Sequence, residues 1–207
     1  MSTSNTPSSN SNPARPEVTT AYGTPAPTPT LDHPMFARVK GAFPAAKFRG
    51  AEFRGQSTLV VEPQDLLAVL TFLKEQCGYV FLSDVGGIDY LGYPAPQPGR
   101  FAVFYNLLCF ERDERFFVKV YLNPSLPTDG IVEDPALWVD SACGLWPGAE
   151  WPEREVFDMF GIRFRNHPDL RRILTWEEFP AHPLRKDYPV RGRGERERYA
   201  MIDRSST

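Results

Sequence analysis

The stretch WPEREVFDMFGIRFRNHPDLRRIL, Trp151 to Leu174, sets the reading of everything around it. Pro152 suits a first helical position, where its missing N–H costs nothing. Glu153 and Glu155 then place negative charge in the first turn, which the helix dipole favours. Val156, Phe157 and Phe160 recur at three- and four-residue spacing and make one apolar stripe. Arg154 and Asp158 stand four apart, a spacing that predicts an ion pair on the helix surface. Gly161 offers a left-handed cap. Ile162 and Phe164 alternate with Arg163 and Arg165, so a short extended segment follows. His167-Pro168 begins a turn, because a residue before proline avoids the helical region.

Two readings of this charged cluster compete. In one, Glu153, Glu155, Asp158 and His167 form an acid–base or metal site. Metal chemistry on a helix wants His pairs four apart or a Glu-x-x-His step, and neither is present. In the other, a capped helix pairs its charges internally or with a neighbour, as structural ion pairs commonly do. The spacing favours the second.

Working outward, the run Asp84-Val85-Gly86-Gly87-Ile88-Asp89-Tyr90 puts two acids around a glycine pair. Two acids in one loop are a weak cation signal, and the strand–GxGxxG–helix context of a dinucleotide site is missing. A turn or bulge between strands is the better reading. Downstream, His182-Pro183-Leu184-Arg185-Lys186-Asp187-Tyr188-Pro189 is a second dense motif. The pattern of Glu153-Arg154-Glu155, Asp158, His167, Arg171 and Ile173-Leu174 resembles the signature of the 30-kDa-type subunit (the C subunit) of the proton-pumping NADH–quinone oxidoreductase, respiratory complex I, with every specified position filled. The other two motifs resemble that family as well, and together the resemblance covers about residues 57 to 190.

That resemblance implies a peripheral subunit on the cytoplasmic side of the cell membrane, within an electron-transport complex. The complex passes electrons from NADH through FMN and iron–sulfur centres to quinone and couples this to proton translocation. It implies that the chain itself is not catalytic and binds no FMN, iron–sulfur cluster, metal or quinone, those cofactors residing in partner subunits. Its chief partner is the subunit that resembles a hydrogenase large subunit and helps form the quinone pocket. Glu153, Arg154, Glu155, Asp158, His167, Arg171, His182, Arg185, Lys186 and Asp187 then read as signature and partner-interface residues. An equivalent subunit of a membrane-bound hydrogenase-type complex is the alternative. A hydrolase using His167 or His182 is a remoter one.

Composition agrees with that role. At 207 residues and 42% hydrophobic content the chain can bury one core, and a net charge of −3 gives no nucleic-acid footprint. Cys77, Cys109 and Cys143 lack C-x-x-C spacing, so a cluster held by this chain alone is not expected, and they read as buried thiols. Residues 1–31 are rich in Ser, Thr, Pro and Asn and read as a disordered extension without a signal-peptide core. No run reaches membrane-span length, which predicts a chain soluble by itself.

The rest predicts an α+β domain over 32–165, with a mixed or mostly antiparallel sheet and helices on one face. Asp32 is the expected cap of a helix starting at Pro34. Strands are expected near Lys47–Arg54 and Thr58–Glu62, a helix over Pro63–Gly78 with Leu66, Val69, Leu70, Leu73 and Cys77 inward, and a buried strand over Tyr79–Leu82. A hairpin should follow, Arg100–Phe110 and Arg115–Leu122 with a charged tip. Asn123–Asp134 reads as a loop and Pro135–Leu145 as a short helix. Residues 166–207 form an extended basic arm. Between 161 and 198 lie ten Lys or Arg and six acids, a local charge of +4 against −7 for the remainder. The mixed signs and absent aromatic interleaving argue against RNA, and an arm laid across a partner protein fits better.

Overall fold

The computed structural model describes residues 33–195. The extension at 1–31, the expected cap Asp32 and residues 196–207 lie outside that range. The first helix, α1 (Pro34–Ala42), is capped by His33, whose Nδ1 accepts from the Met35 N–H at 3.2 Å. A hairpin of β1 (Arg49–Phe53) and β2 (Gln56–Val61) turns through Arg54 and Gly55, both at positive φ. A single 3₁₀ turn at Pro63–Asp65 leads into α2 (Leu66–Cys77), and Gly78 closes it in the left-handed conformation. Leu66, Val69, Leu70, Leu73 and Cys77 are all buried, as their spacing requires.

Next come β3 (Phe81–Asp89), β4 (Phe101–Cys109) and β5 (Glu114–Leu122). They complete a five-stranded sheet in the order β1-β2-β5-β4-β3, antiparallel throughout except for the parallel β2–β5 pair. The inward row of β4 and β5, including Phe101, Val103, Tyr105, Phe116, Val118 and Val120, is wholly buried. α1 and α2 add Met35, Val39 and the α2 stripe to the same core. The architecture is α+β, with a mixed sheet and its helices on one face.

Three expectations are corrected. The glycine pair is no turn: Gly86 and Gly87 sit in regular register opposite Phe104 and Val103, and the irregularity falls earlier, between Leu82 and Asp84. The strand holding the acid–glycine run begins only at Phe81, so the expected buried strand over Tyr79–Leu82 does not form: Tyr79 is buried ahead of the strand, whereas Val80 and Phe81 are exposed. The strand's glycines answer to packing, since a Cβ on Gly86 would meet the Phe104 ring at 2.4 Å and one on Gly87 the Phe160 ring at 2.4 Å. Nor is Pro135–Leu145 a helix. A 3₁₀ turn at Pro135–Leu137 gives way to β6 (Trp138–Asp140), which pairs in parallel with β7 (Arg163–Arg165). Its apolar residues suit either structure; pairing with a distant strand decides.

Between those strands runs α3 (Glu150–Phe160), the signature helix. It begins two residues before Pro152, which stays inside the first turn and so breaks no helical hydrogen bond. From residue 166 to 195 the chain has no regular strand or helix longer than a turn, and it lies back against α3.

Candidate functional site

The last four carbonyls of any helix lack intrahelical partners, and in α3 the later chain supplies them. The Phe157 carbonyl accepts from the Gly161 N–H at 2.8 Å, in the left-handed cap. The Asp158 carbonyl meets His182 Nδ1 at 2.9 Å. Met159 accepts from the Leu184 N–H at 3.1 Å, and Phe160 from Arg185 Nε at 2.7 Å. The second motif thus closes the helix opened by the first. Arg185 is buried with no carboxylate in contact among the described residues; its guanidinium also reaches the Thr128 and Gly130 carbonyls, and a cation at a helix C-terminus suits the dipole. Burial pulls its pKa below the usual arginine value. Gly161 is required twice over: its φ is +74°, and a Cβ there would lie 2.3 Å from Arg185 and 2.6 Å from His182.

The side chain of Asp158 binds the start of the arm. One oxygen accepts from the backbone N–H groups of Ile173 (3.1 Å), Leu174 (2.8 Å) and Thr175 (2.8 Å). The other accepts from Arg172 Nη1 at 2.7 Å and from the Thr175 hydroxyl. Arg172 in turn donates to the Phe179 and Ala181 carbonyls. Burial opposes ionisation of Asp158, but these donors outweigh it and hold the carboxyl below its usual range. The expected Arg154–Asp158 pair does not form. Arg154 bonds the Arg171 and Arg172 carbonyls instead, at 3.1 and 3.0 Å, so both residues hold the arm from different sides.

The third motif meets the same place. Phe160 seats on Gly87, and Asp89, at the end of β3, accepts from the Lys186 N–H at 2.8 Å and from Arg100 Nη2 at 3.0 Å. Arg100 also pairs with Asp187 at 2.9 Å. Asp84 is exposed, on the opposite face from Asp89 and five residues away at about 3.3 Å per residue. They cannot share a cation.

At the other end of α3, Glu153 is fully buried. It accepts from Ser141 Oγ at 2.6 Å, from the Ala142 N–H at 2.7 Å, and from Cys143 Sγ at 3.5 Å. No Lys or Arg pairs with it among the described residues. Desolvation therefore prevails and raises its pKa. Cys143, Glu153 and His167 offer ligand atoms within 4.8 Å of one another, the donor set of a metal site. Each donor already has a partner. Nδ1 of His167 accepts from the Asp169 N–H at 3.0 Å, which puts the ring proton on Nε2 toward the Glu150 carbonyl, also at 3.0 Å. Burial pushes the Cys143 thiol up to about 11, so it stays protonated and donates. Metal entry would require breaking these bonds, and the set fits its hydrogen-bonded state better than a cation.

Sequence spacing finds α3, its cap and the residues that matter, but misses their partners: Arg172, Thr175, Ser141, Asp89 and Arg100. Glu153, Asp158, His182 and Arg185 turn inward, whereas Glu155, Arg171, Lys186 and Asp187 remain at the surface, where Arg171 pairs with Asp169 and Asp187 with Arg100. The histidines are not poised for hydrolysis. His182 has its Nδ1 on a backbone carbonyl and a pKa lowered by burial to about 4.

The comparisons agree with this construction. The family model for the respiratory-chain NADH dehydrogenase 30 Kd subunit matches residues 59–194, which spans all three motifs. The C subunit of NADH-quinone oxidoreductase from Geotalea uraniireducens (strain Rf4) is 38% identical over 155 residues, covering 75% of this chain and 86% of that one. The same-named protein of Roseiflexus castenholzii (strain DSM 13941 / HLO8) is 42% identical over 166 residues, 77% of this chain and 86% of that one. A solved structure of Nqo5, a trypsin-resistant fragment (1-134) in a P63 form, aligns with a TM-score of 0.54 at 33% identity, over 65% of this chain and 98% of that one. With its motifs joined around one helix end and its family matched over most of its length, the chain belongs to the 30-kDa subunit family of the respiratory-chain NADH dehydrogenase.

Proposed function

We propose that the chain is a non-catalytic, structural subunit of the peripheral arm of NADH–quinone oxidoreductase. In this reading partner subunits hold FMN and the iron–sulfur centres, pass electrons from NADH to quinone and couple that to proton translocation. The chain itself holds no cofactor. The single observation behind the proposal is where the signature charges go. Asp158, Arg172, His182, Arg185 and Asp89 bond to one another's segments and to helix-end carbonyls, an arrangement that fixes shape and occupies these groups with partners inside the chain. None of the described helices is long and apolar enough to cross a membrane, which supports peripheral attachment, on the cytoplasmic side in this proposal.

In the same proposal, residues 32–165 are the folded body and 166–207 the arm, whose described part is held against the body and which is presented to the hydrogenase-large-subunit-like partner. Glu155, Arg171, Lys186 and Asp187 are the signature residues left to meet that partner. Purification of the tagged full chain under native conditions tests the reading. FMN, iron–sulfur subunits and NADH–quinone activity should co-purify. A nickel enzyme in their place favours the hydrogenase-type alternative, and an active lone chain refutes both.

A further inference from the structure

A two-layer sheet with one face in water alternates apolar-in with polar-out. The inward row here obeys that rule. The outward row does not: Val60, Ile88, Phe104, Leu108 and Phe117 point away from the helices at half-buried positions. Strand register brings them together, since Thr58 stands opposite Phe117, Phe117 opposite Asn106, and Phe104 opposite both Lys119 and Gly86. The Phe104 and Phe117 rings lie 6.4 Å apart. Gly86 lets Phe104 lie flat, because a Cβ there would be 2.4 Å from its ring. The loop 91–99 covers one end, where the Tyr121 hydroxyl donates to Gln97 at 3.1 Å.

Charge narrows the occupant. Along this face the strands present Arg49, Arg115 and Lys119 against one acid, Asp84, although the whole chain carries −3. A second copy would set like charges against each other, which costs association. Residues 1–32 hold few large apolar side chains (Met1, Val18, Tyr22, Leu31) and are charged only at Arg15, Glu17 and Asp32, too little to cover such a surface. Three cations beside an acid are a thin basis for nucleic acid, whose binding scales with the phosphates neutralised. Aromatic and Arg side chains around an apolar centre are what protein interfaces enrich.

We propose that the outward face of the sheet, centred on Phe104 and Phe117 and flanked by Arg49, Arg115 and Lys119, docks a second protein through an apolar surface rimmed by carboxylates. The inference rests on the reading of the chain as a subunit, and makes that protein another subunit of the same assembly.

The test places p-benzoylphenylalanine at position 104 or 117 of the full chain, irradiates the native complex and sequences the crosslinked peptides. Crosslinks to an Asp- or Glu-bearing peptide of another subunit are expected. Arg115→Glu with Lys119→Glu should reduce the chain retained in complex about tenfold while the isolated variant keeps its melting temperature, and Lys119→Arg should restore retention toward normal. Crosslinks to a second copy, to residues 1–32 or to nucleic acid overturn the proposal. So does an assembled complex with no crosslink from either position. Crosslinks to a protein in a preparation lacking FMN and iron–sulfur subunits keep the docking face and refute the subunit reading instead.

Discussion

Glu153 and Asp158 share one helix, lie five residues apart and are both fully buried, yet their environments push them in opposite directions. Asp158 takes three backbone N–H groups, a hydroxyl and a guanidinium, and its pKa falls. Glu153 takes one backbone N–H, a hydroxyl and a thiol, and its pKa rises. Burial is common to the two, so the number and charge of the donors decide which way each pKa moves. Asp158 is a charged clamp on the arm. Glu153 is a polar plug holding the 141–143 turn.

The largest effect is expected from Asp158→Ala. It leaves three N–H groups and Arg172 without their acceptor, and losing one partner of a buried ion pair costs about 3–5 kcal/mol. Denaturant unfolding should show that loss, and trypsin should cut the arm at Arg171, Arg172 or Lys186 well before the body. An arm as resistant as in the native chain would place the clamp elsewhere. Glu153→Gln is the contrasting substitution. The amide can still accept from Ala142 while its NH₂ turns to Ser141, and no buried charge remains. Stability at pH 7 should stay within about 1 kcal/mol of the native chain or rise slightly. A loss as large as that from Asp158→Ala would mean that Glu153 needs its charge after all.

Acid separates the two sites by sign. His182 has a folded pKa of about 4, below its ordinary value near 6.5. Folding therefore disfavours its proton, and stability falls as pH drops from about 6.5 toward 4. Asp158, with a lowered pKa, adds a further loss below about 3.9. Glu153, with a raised pKa, works the other way and recovers some stability as it protonates above about 4.3. Arm release measured against pH should thus begin below pH 6.5 and begin later in His182→Asn. The smallest effect is expected from zinc. Ligand binding to the native state raises the melting temperature, so a Cys143–Glu153–His167 site would respond to stoichiometric zinc, whereas the hydrogen-bonded set should show no shift.

What is legible in the sequence is local. The α2 stripe, the Gly78 and Gly161 caps and the β4–β5 hairpin depend on neighbours within a few residues, and periodicity displays them. The four-residue rule pairs Arg154 with Asp158 because it sees only the helix; the actual partner, Arg172, arrives from an irregular segment beyond β7. The Gly86-Gly87 pair resembles a turn because its cause, the rings of Phe104 and Phe160, lies on other elements. β6 resembles a helix because its parallel partner β7 follows only after α3. The motifs are visible as residues to be explained, but their closing on one helix end is not.

The most direct measurement is made in the assembled oxidoreductase carrying Asp158→Ala. Subunit content, by quantitative mass spectrometry, is set against NADH–quinone turnover from the same preparation. A structural clamp predicts that content and activity fall together, with turnover per assembled complex near the native value. Full assembly with turnover reduced tenfold or more would contradict it and place Asp158 in the reaction.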